Sequence, residues 1–120
     1  MINESELQQL NEYLRAVLLN PQNAQQLAIS GSDNNLTWQQ LSSAVVDWNI
    51  RFSALDIAPN VPVVLYGHQQ AEFACAIYSC LLHNIPYIPI DNIYPAERLK
   101  EICELASAPY YYDVEQRTYV

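Results

Sequence analysis

His68 and Asp91 are the two side chains of this sequence whose types and positions are suited to shared chemistry. Each comes just after a continuous apolar run, VPVVLY and PYIPI, which is typical of a buried strand. Because the carboxyl ends of parallel strands form the edge at which α/β sheets bind ligands, neighbouring strands would bring an imidazole and a carboxylate together there. The alternative, which we take as the default, is that Asp91 caps a turn and His68 ends a strand.

No other group of residues predicts a catalytic, cofactor-binding or metal site. The serines lack the Gly-x-Ser-x-Gly setting of a nucleophile. The other histidine, His83, falls at the end of a predicted helix, where we expect it to interact with the last carbonyl groups rather than with zinc. The two glycines, Gly31 and Gly67, both lie far from the single lysine, Lys100, so a glycine-rich phosphate loop cannot form.

The bulk composition is that of one globular domain covering residues 1–120, with 51% hydrophobic and 15% charged residues. A net charge of −8 argues against nucleic-acid binding, which requires basic clusters. The N-terminus has no signal-peptide pattern, and no apolar stretch is long enough to span a bilayer. The three cysteines, Cys75, Cys80 and Cys103, show no CxxC spacing and are expected in the core. We therefore expect a cytoplasmic protein.

A first helix is predicted from Asn3 to Leu19, because apolar residues recur along it at helical spacing. Asn3 and Glu6 have the spacing of a capping box, in which the two side chains satisfy free backbone N–H groups at the start of a helix. Pro21 ends this helix, because proline cannot continue the hydrogen-bond ladder.

A short β-hairpin and a second helix follow. LAIS (Leu27–Ser30) and NLTW (Asn35–Trp38) flank the polar turn GSDNN, a pattern typical of a hairpin. Thr37, with Gln40 three residues later, predicts a capping box at the start of the second helix. The apolar residues of that helix form one stripe: Leu41, Val45, Trp48, Phe52 and Leu55.

The second half of the chain has the pattern β-α-β-α-β. The first two strands, Val61–Tyr66 and Pro86–Ile90, are continuously apolar, which indicates a parallel sheet covered on both faces. The third strand is Tyr110–Tyr112. Helices at Gln70–His83 and from Pro95 to Ala106 make the crossovers. The predicted fold class is therefore α/β, with an N-terminal helix and a hairpin ahead of the parallel-sheet unit.

Prolines refine this prediction. Pro89 lacks a backbone N–H, which places its strand at a sheet edge or in an irregular ladder. Pro95 is expected in the first turn of the last helix, where a missing N–H costs nothing, with Glu97 placing favourable negative charge in the same turn. The residues of that helix predicted to face the core are Leu99, Ile102, Cys103 and Leu105.

The segment LLHNIPYIPIDNIYPAERLKEI resembles the early core motif of adenylate-forming enzymes, the superfamily that contains the amino-acid-activating domains of nonribosomal peptide synthetases. In that family a strand with the pattern Tyr-x-Pro-x-Asp leads to a Tyr-Pro-x-x-Arg helix. The matching residues here are Tyr87, Pro89, Asp91, Tyr94, Pro95 and Arg98. We interpret this block as the scaffold of a crossover that carries no chemistry by itself.

Two further segments strengthen the resemblance, which covers most of the chain. LTWQQLSSAVVDWNIRFSAL is similar to the entry helix of the family, with Trp38 where tyrosine is usual. VPVVLYGH is similar to the branch formed by D-alanine–carrier protein ligases. One departure is Asn84-Ile85, where the family usually has Ala-Gly, and it bears on packing more than on chemistry. The chain therefore resembles part of the N-terminal subdomain of an adenylation domain.

This resemblance implies a function that the chain cannot perform alone. It implies the N-terminal segment of an ATP-dependent ligase that activates an amino acid, with D-alanine as the first candidate, and transfers it to a carrier protein. ATP and Mg²⁺ would be the cofactors of the full enzyme, and the partners would be the carrier protein and the remainder of that enzyme. The family's phosphate loop and catalytic lysine have no counterparts here, so we predict no activity for the isolated chain.

Two other functions are consistent with parts of the sequence. One is a non-catalytic interaction module that docks on a carrier protein or complements a split adenylation enzyme. The other is a flavodoxin-like or receiver-like binding domain, although the acidic cluster and paired lysine of receivers are missing, as is a flavin-phosphate loop. We also predict self-association through the sheet, because Tyr110–Tyr112 would be an exposed edge strand.

Overall fold

The computed structural model describes residues 4–58, 60–115 and 118–119. Its helices are α1 (Glu4–Leu19), α2 (Trp38–Leu55), α3 (Ala71–Leu82) and α4 (Ala96–Ala106), with a 3₁₀ turn at Pro21–Asn23. Its strands are β1 (Leu27–Ser30), β2 (Asn35–Thr37), β3 (Val63–Gly67), β4 (Tyr87–Asp91), β5 (Tyr111–Asp113) and β6 (Thr118–Tyr119). The predicted capping residue Asn3 lies outside the described residues. The predicted elements are confirmed to within two residues at each end.

The main sheet has the strand order β4-β3-β5-β6. Strand β3 runs parallel to both β4 and β5, which confirms the α/β prediction, while β1 and β2 form a separate antiparallel hairpin. Strand β4 pairs only with β3 among the described residues, as expected for a strand that contains Pro89.

The sequence does not predict strand β6. Because β6 pairs with β5, the prediction that Tyr110–Tyr112 is an exposed edge strand is wrong. The pairing is antiparallel, with Tyr112 opposite Tyr119 and Asp113 opposite Thr118. The tyrosine strand is therefore an inner strand within the described part of the chain. A two-residue strand carries too little periodic pattern to be recognised in a sequence.

The helices lie on opposite faces of this sheet. Helices α1, α2 and α3 pack over one face, in a core that includes Val63 and Leu65 of β3 and Tyr112 of β5. Helix α4 packs over the other face, against Val64 and Ile90. Because side chains alternate along a strand, consecutive residues of β3 belong to different cores.

Helix α2 begins and packs as predicted. Thr37 Oγ1 accepts from the Gln40 N–H at 3.3 Å, and Gln40 Oε1 accepts from the Thr37 N–H at 2.8 Å, which completes the capping box. The helix ends at Asp56, whose φ of 50° is left-handed. Of its apolar stripe, Leu55 is half-buried and the other members are buried: Leu41, Val45, Trp48 and Phe52.

Helix α4 differs from its prediction at two positions. Leu105 was expected to face the core, but its side chain is 86% exposed, whereas Leu99 is 2% exposed. With one helix on this face, only residues near the line through Leu99 reach the sheet. Pro95 is the N-cap residue (φ −70°, ψ 156°) rather than part of the first turn, while Glu97 lies in the first turn as expected.

The cysteines lie as expected, and none of them forms a disulfide. Cys75 and Cys80 are buried residues of α3, and Cys103 is a half-buried residue of α4. Burial raises the pKa of Cys80 to about 12 and the pKa of Cys75 to about 11, where the Glu72 carboxylate contributes as well. These two thiols are therefore packing groups.

Candidate functional site at the carboxyl edge of the sheet

The structure brings His68 and Asp91 together. Gly67, the last residue of β3, is in register with Asp91, the last residue of β4, so that His68 follows directly beside the carboxylate. His68 Nδ1 lies 2.9 Å from the Asp91 carboxylate. The two side chains are 41% and 35% exposed, so the pair is open to solvent at the sheet edge.

The pair lies where the direction of the chain connections reverses. The loop after β3 leads to α3 on one face of the sheet, and the loop after β4 leads to α4 on the other face. Adjacent parallel strands whose connections leave to opposite faces create a crevice outside their carboxyl ends, the usual ligand position in open α/β sheets. His68 and Asp91 meet at this switch point, where their side chains are in contact.

The Asp91 side of the crevice is fixed by its own turn. Asp91 Oδ1 accepts from the Ile93 N–H at 3.1 Å, so Asp91 caps a turn and faces the imidazole at the same time. The Asn92 N–H donates to the Gly67 carbonyl at 2.8 Å, which extends the β3–β4 pairing by one bond. The Tyr66 hydroxyl donates to the Tyr94 carbonyl, which holds the following loop against β3.

The His68 side is fixed by the hairpin turn between β1 and β2. The Ser32 N–H donates to the Gln69 carbonyl at 2.8 Å. Asp33 Oδ1 accepts from the Ala71 N–H at 2.9 Å and so caps the start of α3 from 38 residues away. Gly31 allows this approach, since a Cβ there would lie 2.5 Å from the Ala71 nitrogen.

The edge is acidic. Asp113 at the end of β5 and Glu115 beyond it lie on the same side as Asp91, and Asn92 Nδ2 donates to Glu115 Oε1 at 3.0 Å. Burial raises the pKa of the Tyr66 hydroxyl, and the carboxylates of Asp113, Glu115 and Asp91 raise it further. A negative potential of this kind favours a cationic or hydrogen-bond-donating group in the crevice over an anion.

Of the other residues of the predicted motif, Tyr87 packs in a core and the rest are exposed. Tyr87 packs against the core under α1, α2 and α3, and Pro89 is exposed on the edge strand. Arg98 lies 3.5 Å from Glu101 in an exposed ion pair that contributes little to stability. Tyr94 is exposed and contributes its carbonyl group to Tyr66. Together with Pro95 at the N-cap, these residues shape the crossover around Asp91.

His83 lies at the opposite end of the sheet from the pair. As expected, His83 interacts with a carbonyl in the last turn of α3, that of Ser79. Helix α1 reaches the Leu82 carbonyl, to which Asn11 Nδ2 donates at 2.6 Å and Arg15 Nη2 donates at 2.8 Å. Burial lowers the pKa of His83, the hydrogen bond with the Ser79 carbonyl opposes this, and the Arg15 charge lowers the pKa further. Within the described ranges no group of three or more His, Cys, Asp or Glu side chains could hold a metal ion.

Sequence reasoning missed Asp33, Gly31 and Tyr66 as parts of this site. Asp33 caps a helix that begins far along the chain, and a local pattern search finds caps only for the helix that follows directly. Gly31 belongs to a polar turn that already explains a glycine. The hydroxyl of Tyr66 at the end of an apolar strand was the one available signal, because a tyrosine there needs a hydrogen-bond partner.

The family model described as AMP-binding enzyme matches residues 18–118 of this chain. The chain belongs to the AMP-binding enzyme family. Among its relatives are D-alanine–D-alanyl carrier protein ligases of Bacillus licheniformis, 28% identical over 82 residues, and of Bacillus cereus, 31% identical over 86 residues. These matches cover 68% and 69% of this chain and 16% of each ligase, so the chain spans about a sixth of the length of these relatives.

The fold also matches that of a solved nonribosomal peptide synthetase. The nonribosomal peptide synthetase FmoA3 bound to α-methyl-L-serine-AMP superposes with a TM-score of 0.75 at 23% identity, covering 87% of this chain and 11% of that one. This similarity confirms the predicted α/β fold. The family match over residues 18–118 excludes the flavodoxin-like or receiver-like alternative. None of the helices in the described ranges is long and apolar enough to cross a bilayer.

Proposed function

We propose that residues 1–120 form one domain, the N-terminal segment of an ATP-dependent ligase that activates D-alanine and transfers it to a carrier protein. The observation that supports this choice within the AMP-binding family is the 31% identity over 86 residues to a D-alanine–D-alanyl carrier protein ligase. ATP with Mg²⁺, the amino acid and the carrier protein are then ligands of the complete enzyme, and the remainder of that enzyme is the first partner of this segment.

In this proposal the segment is a scaffold and does not bind phosphate. Both glycines have packing roles, because a Cβ on Gly31 would meet the Ala71 backbone and a Cβ on Gly67 would lie 2.8 Å from the Phe73 ring. Lys100 lies on the exposed side of α4, away from either glycine in the sequence. A phosphate loop needs glycines whose backbone N–H groups face the ligand. The isolated chain is therefore expected to have no ATP–pyrophosphate exchange activity.

The His68–Asp91 pair has a structural role in this proposal. It joins the loop that leads to α3 with the loop that leads to α4, and thereby links the two helical layers at the point where the chain changes face. The motif residues Tyr87, Pro89, Tyr94, Pro95 and Arg98 support the same crossover. A cytoplasmic location, where ATP is available, is part of the proposal.

The deciding experiment begins with the DNA that follows codon 120. An open reading frame that contains a Ser/Thr/Gly-rich loop ending in Gly-Lys is the expected result. The extended polypeptide is then assayed for ATP–pyrophosphate exchange with D-alanine, L-alanine, glycine, a large aromatic amino acid and a carboxylic acyl substrate. We expect D-alanine to give the highest exchange rate, and the 120-residue chain to give none.

The possible outcomes separate the parts of this proposal. A stop codon after Val120 would overturn the ligase segment and support the interaction module, for which the matches to enzymes give no support. Preference for the aromatic or acyl substrate would remove D-alanine and leave the AMP-binding assignment intact. Exchange by the purified 120-residue chain, free of longer enzyme, would overturn the scaffold role.

A further inference from the structure

We propose that the hairpin turn at residues 31–34 is a clamp that sets the tautomer of His68, so that the neutral imidazole carries its proton on Nδ1 and presents a free Nε2 lone pair to the crevice. The inference concerns the His68–Asp91 site itself. It does not depend on which substrate the proposed ligase activates.

The tautomer of His68 follows from its hydrogen-bond partner, the Asp91 carboxylate. An ionised carboxylate can only accept hydrogen bonds, so Nδ1 must be the donor at the 2.9 Å contact with Asp91. In a neutral imidazole one nitrogen donates and the other accepts, which leaves Nε2 unprotonated. The carboxylate is already oriented by the Ile93 N–H at 3.1 Å, so the position of His68 decides whether the contact forms.

The position of His68 depends on Gln70, which it contacts, and on Gln69 and Ala71, which the hairpin holds. Gln70 Oε1 accepts from the His68 N–H at 2.6 Å, which ties the imidazole-bearing residue to the loop. Gln69 and Ala71, on either side of Gln70, are the two residues that the hairpin holds, through Ser32 and Asp33. The loop between β3 and α3 is thus fixed at alternate residues by a hairpin that comes about 40 residues earlier in the chain.

Glycine at position 31 allows the hairpin to approach the backbone of Ala71 closely. A side chain there would lie 2.5 Å from the Ala71 nitrogen and 2.9 Å from its Cα, both of them backbone atoms that cannot rotate away. Substitution must therefore move the hairpin away from the loop. Asp33 and Gly31 are positioning residues for the pair, and neither contacts His68 or Asp91 in the hydrogen bonds described above.

A free Nε2 in an acidic crevice defines the ligand chemistry. Nε2 accepts a hydrogen bond, and Asp91, Asp113 and Glu115 at the same edge favour positive charge. The group that fits is a hydrogen-bond donor such as an ammonium, hydroxyl or thiol, and a phosphate or free carboxylate fits poorly.

The test is a long-range ¹H–¹⁵N correlation spectrum of the uniformly ¹⁵N-labelled chain, recorded where the imidazoles are neutral. The chain has two histidines, and His83 serves as the internal reference because it lies at the other end of the sheet. We expect wild-type His68 to be mainly the Nδ1–H tautomer. A wild-type spectrum in which His68 is mainly Nε2–H would overturn the proposal without any variant.

Variants then separate the clamp from the fold. In Asp33→Ala and Gly31→Ala the ratio of Nδ1–H to Nε2–H is expected to fall by about two-fold or more, the change that follows from weakening one ordinary hydrogen bond. Asp33→Asn keeps the Oδ1 acceptor and should restore the ratio. Glu104→Ala, which removes an exposed carboxylate from α4 on the other face of the sheet, should leave the ratio at His68 unchanged. The ratio at His83 should stay the same in every variant.

The clamp is refuted if folded Asp33→Ala and Gly31→Ala both keep the wild-type ratio at His68. Backbone amide spectra show whether each variant is folded. If one of the two does not fold, the other carries the test, and Asp33→Ser, with a shorter acceptor, is then the second variant expected to lower the ratio. Loss of the Nδ1–H tautomer in Glu104→Ala as well would also refute the proposal, since the effect would not be specific to the hairpin.

Discussion

The two faces of the sheet are covered to different depths, and two adjacent tyrosines show the difference. Tyr112 points to the face under α1, α2 and α3 and is 1% exposed. Its ring meets Trp48 edge-on at 4.7 Å, and its hydroxyl donates to Glu72 Oε1 at 3.0 Å. Tyr111 points to the α4 face and is only half-buried. The same residue type is thus fully buried on one face of the sheet and only half-buried on the other.

The covered face also carries a charged pair at its margin, where the Arg51 side chain is 43% exposed. Arg51 lies over the Trp48 ring, 4.8 Å from its centroid, and pairs with Glu72 at 3.4 Å. Burial raises the pKa of Tyr112 to about 12, with the Glu72 carboxylate as a further cause. Among the residues that the structure describes, those buried on the α4 face are Val64, Ile90 and Leu99. When one helix covers a sheet face, the sheet residues directly beneath the helix are buried, and those on either side of it stay partly exposed.

The largest expected effect comes from the tyrosine pair. Tyr112→Ala should lower the free energy of unfolding by about 3–5 kcal/mol, as for other buried aromatic residues. Tyr111→Ala, the matched change one residue earlier, should cost about 1 kcal/mol. Urea denaturation followed by circular dichroism measures both. Equal losses at the two positions would contradict the difference between the faces.

The leucines of α4 provide a second matched pair on the thinly covered face. Leu99→Ala should cost about 2–4 kcal/mol, because Leu99 is 2% exposed and truncation leaves a cavity. Leu105→Ala should stay within about 0.5 kcal/mol, as expected for a surface substitution. The same denaturation series provides the measurement. A loss of more than about 1 kcal/mol at Leu105 would show that this residue faces a core after all.

The buried thiols of Cys75 and Cys80 make the stability of the covered face depend on pH. Burial raises the pKa of Cys75 and Cys80 above the ordinary value of 9.0, so both stay protonated in the folded state when an unfolded chain would ionise. Their contribution to stability is fully present below pH 9 and is lost as the pH rises towards the folded-state values of about 11 and 12. The free energy of unfolding should therefore decrease as the pH rises from 9.0 to about 11 and 12, and decrease less in Cys80→Ala.

Labelling with an aromatic disulfide reagent checks the same point residue by residue. Cys103, half-buried on the α4 face, should react first, and Cys75 and Cys80 should react only as fast as the chain opens. Mass spectrometry of the labelled peptides identifies the order. Reaction of Cys80 ahead of Cys103 would contradict the packing described for both faces.

The smallest effect is expected at the junction of the two faces. His68→Gln and Asp91→Asn should each change the free energy of unfolding by about 1 kcal/mol or less, because both side chains are more than a third exposed. The double variant should cost less than the sum of the single variants, since each removes the same contact. Strictly additive losses would mean that the two side chains do not interact.

Much of the fold could be predicted from local pattern. The capping box at Thr37 and Gln40, the stripe along α2 and the apolar strands VPVVLY and PYIPI are recorded within a few consecutive residues, so the sequence by itself determined the helices, the parallel strands and the α/β class. The motif from Tyr87 to Arg98 likewise determined the family, which the match over residues 18–118 confirms.

Contacts between residues far apart in the chain were decided only by the tertiary structure. The pairing of β5 with β6, the exposure of Leu105 and the occupation of the α3 carbonyls by α1 depend on which surface each element meets. The same holds for the site: the sequence placed His68 and Asp91 at strand ends, but the register of β3 with β4 set their distance. The cap from Asp33 to Ala71 spans 38 residues, and no local preference encodes a partner at that separation.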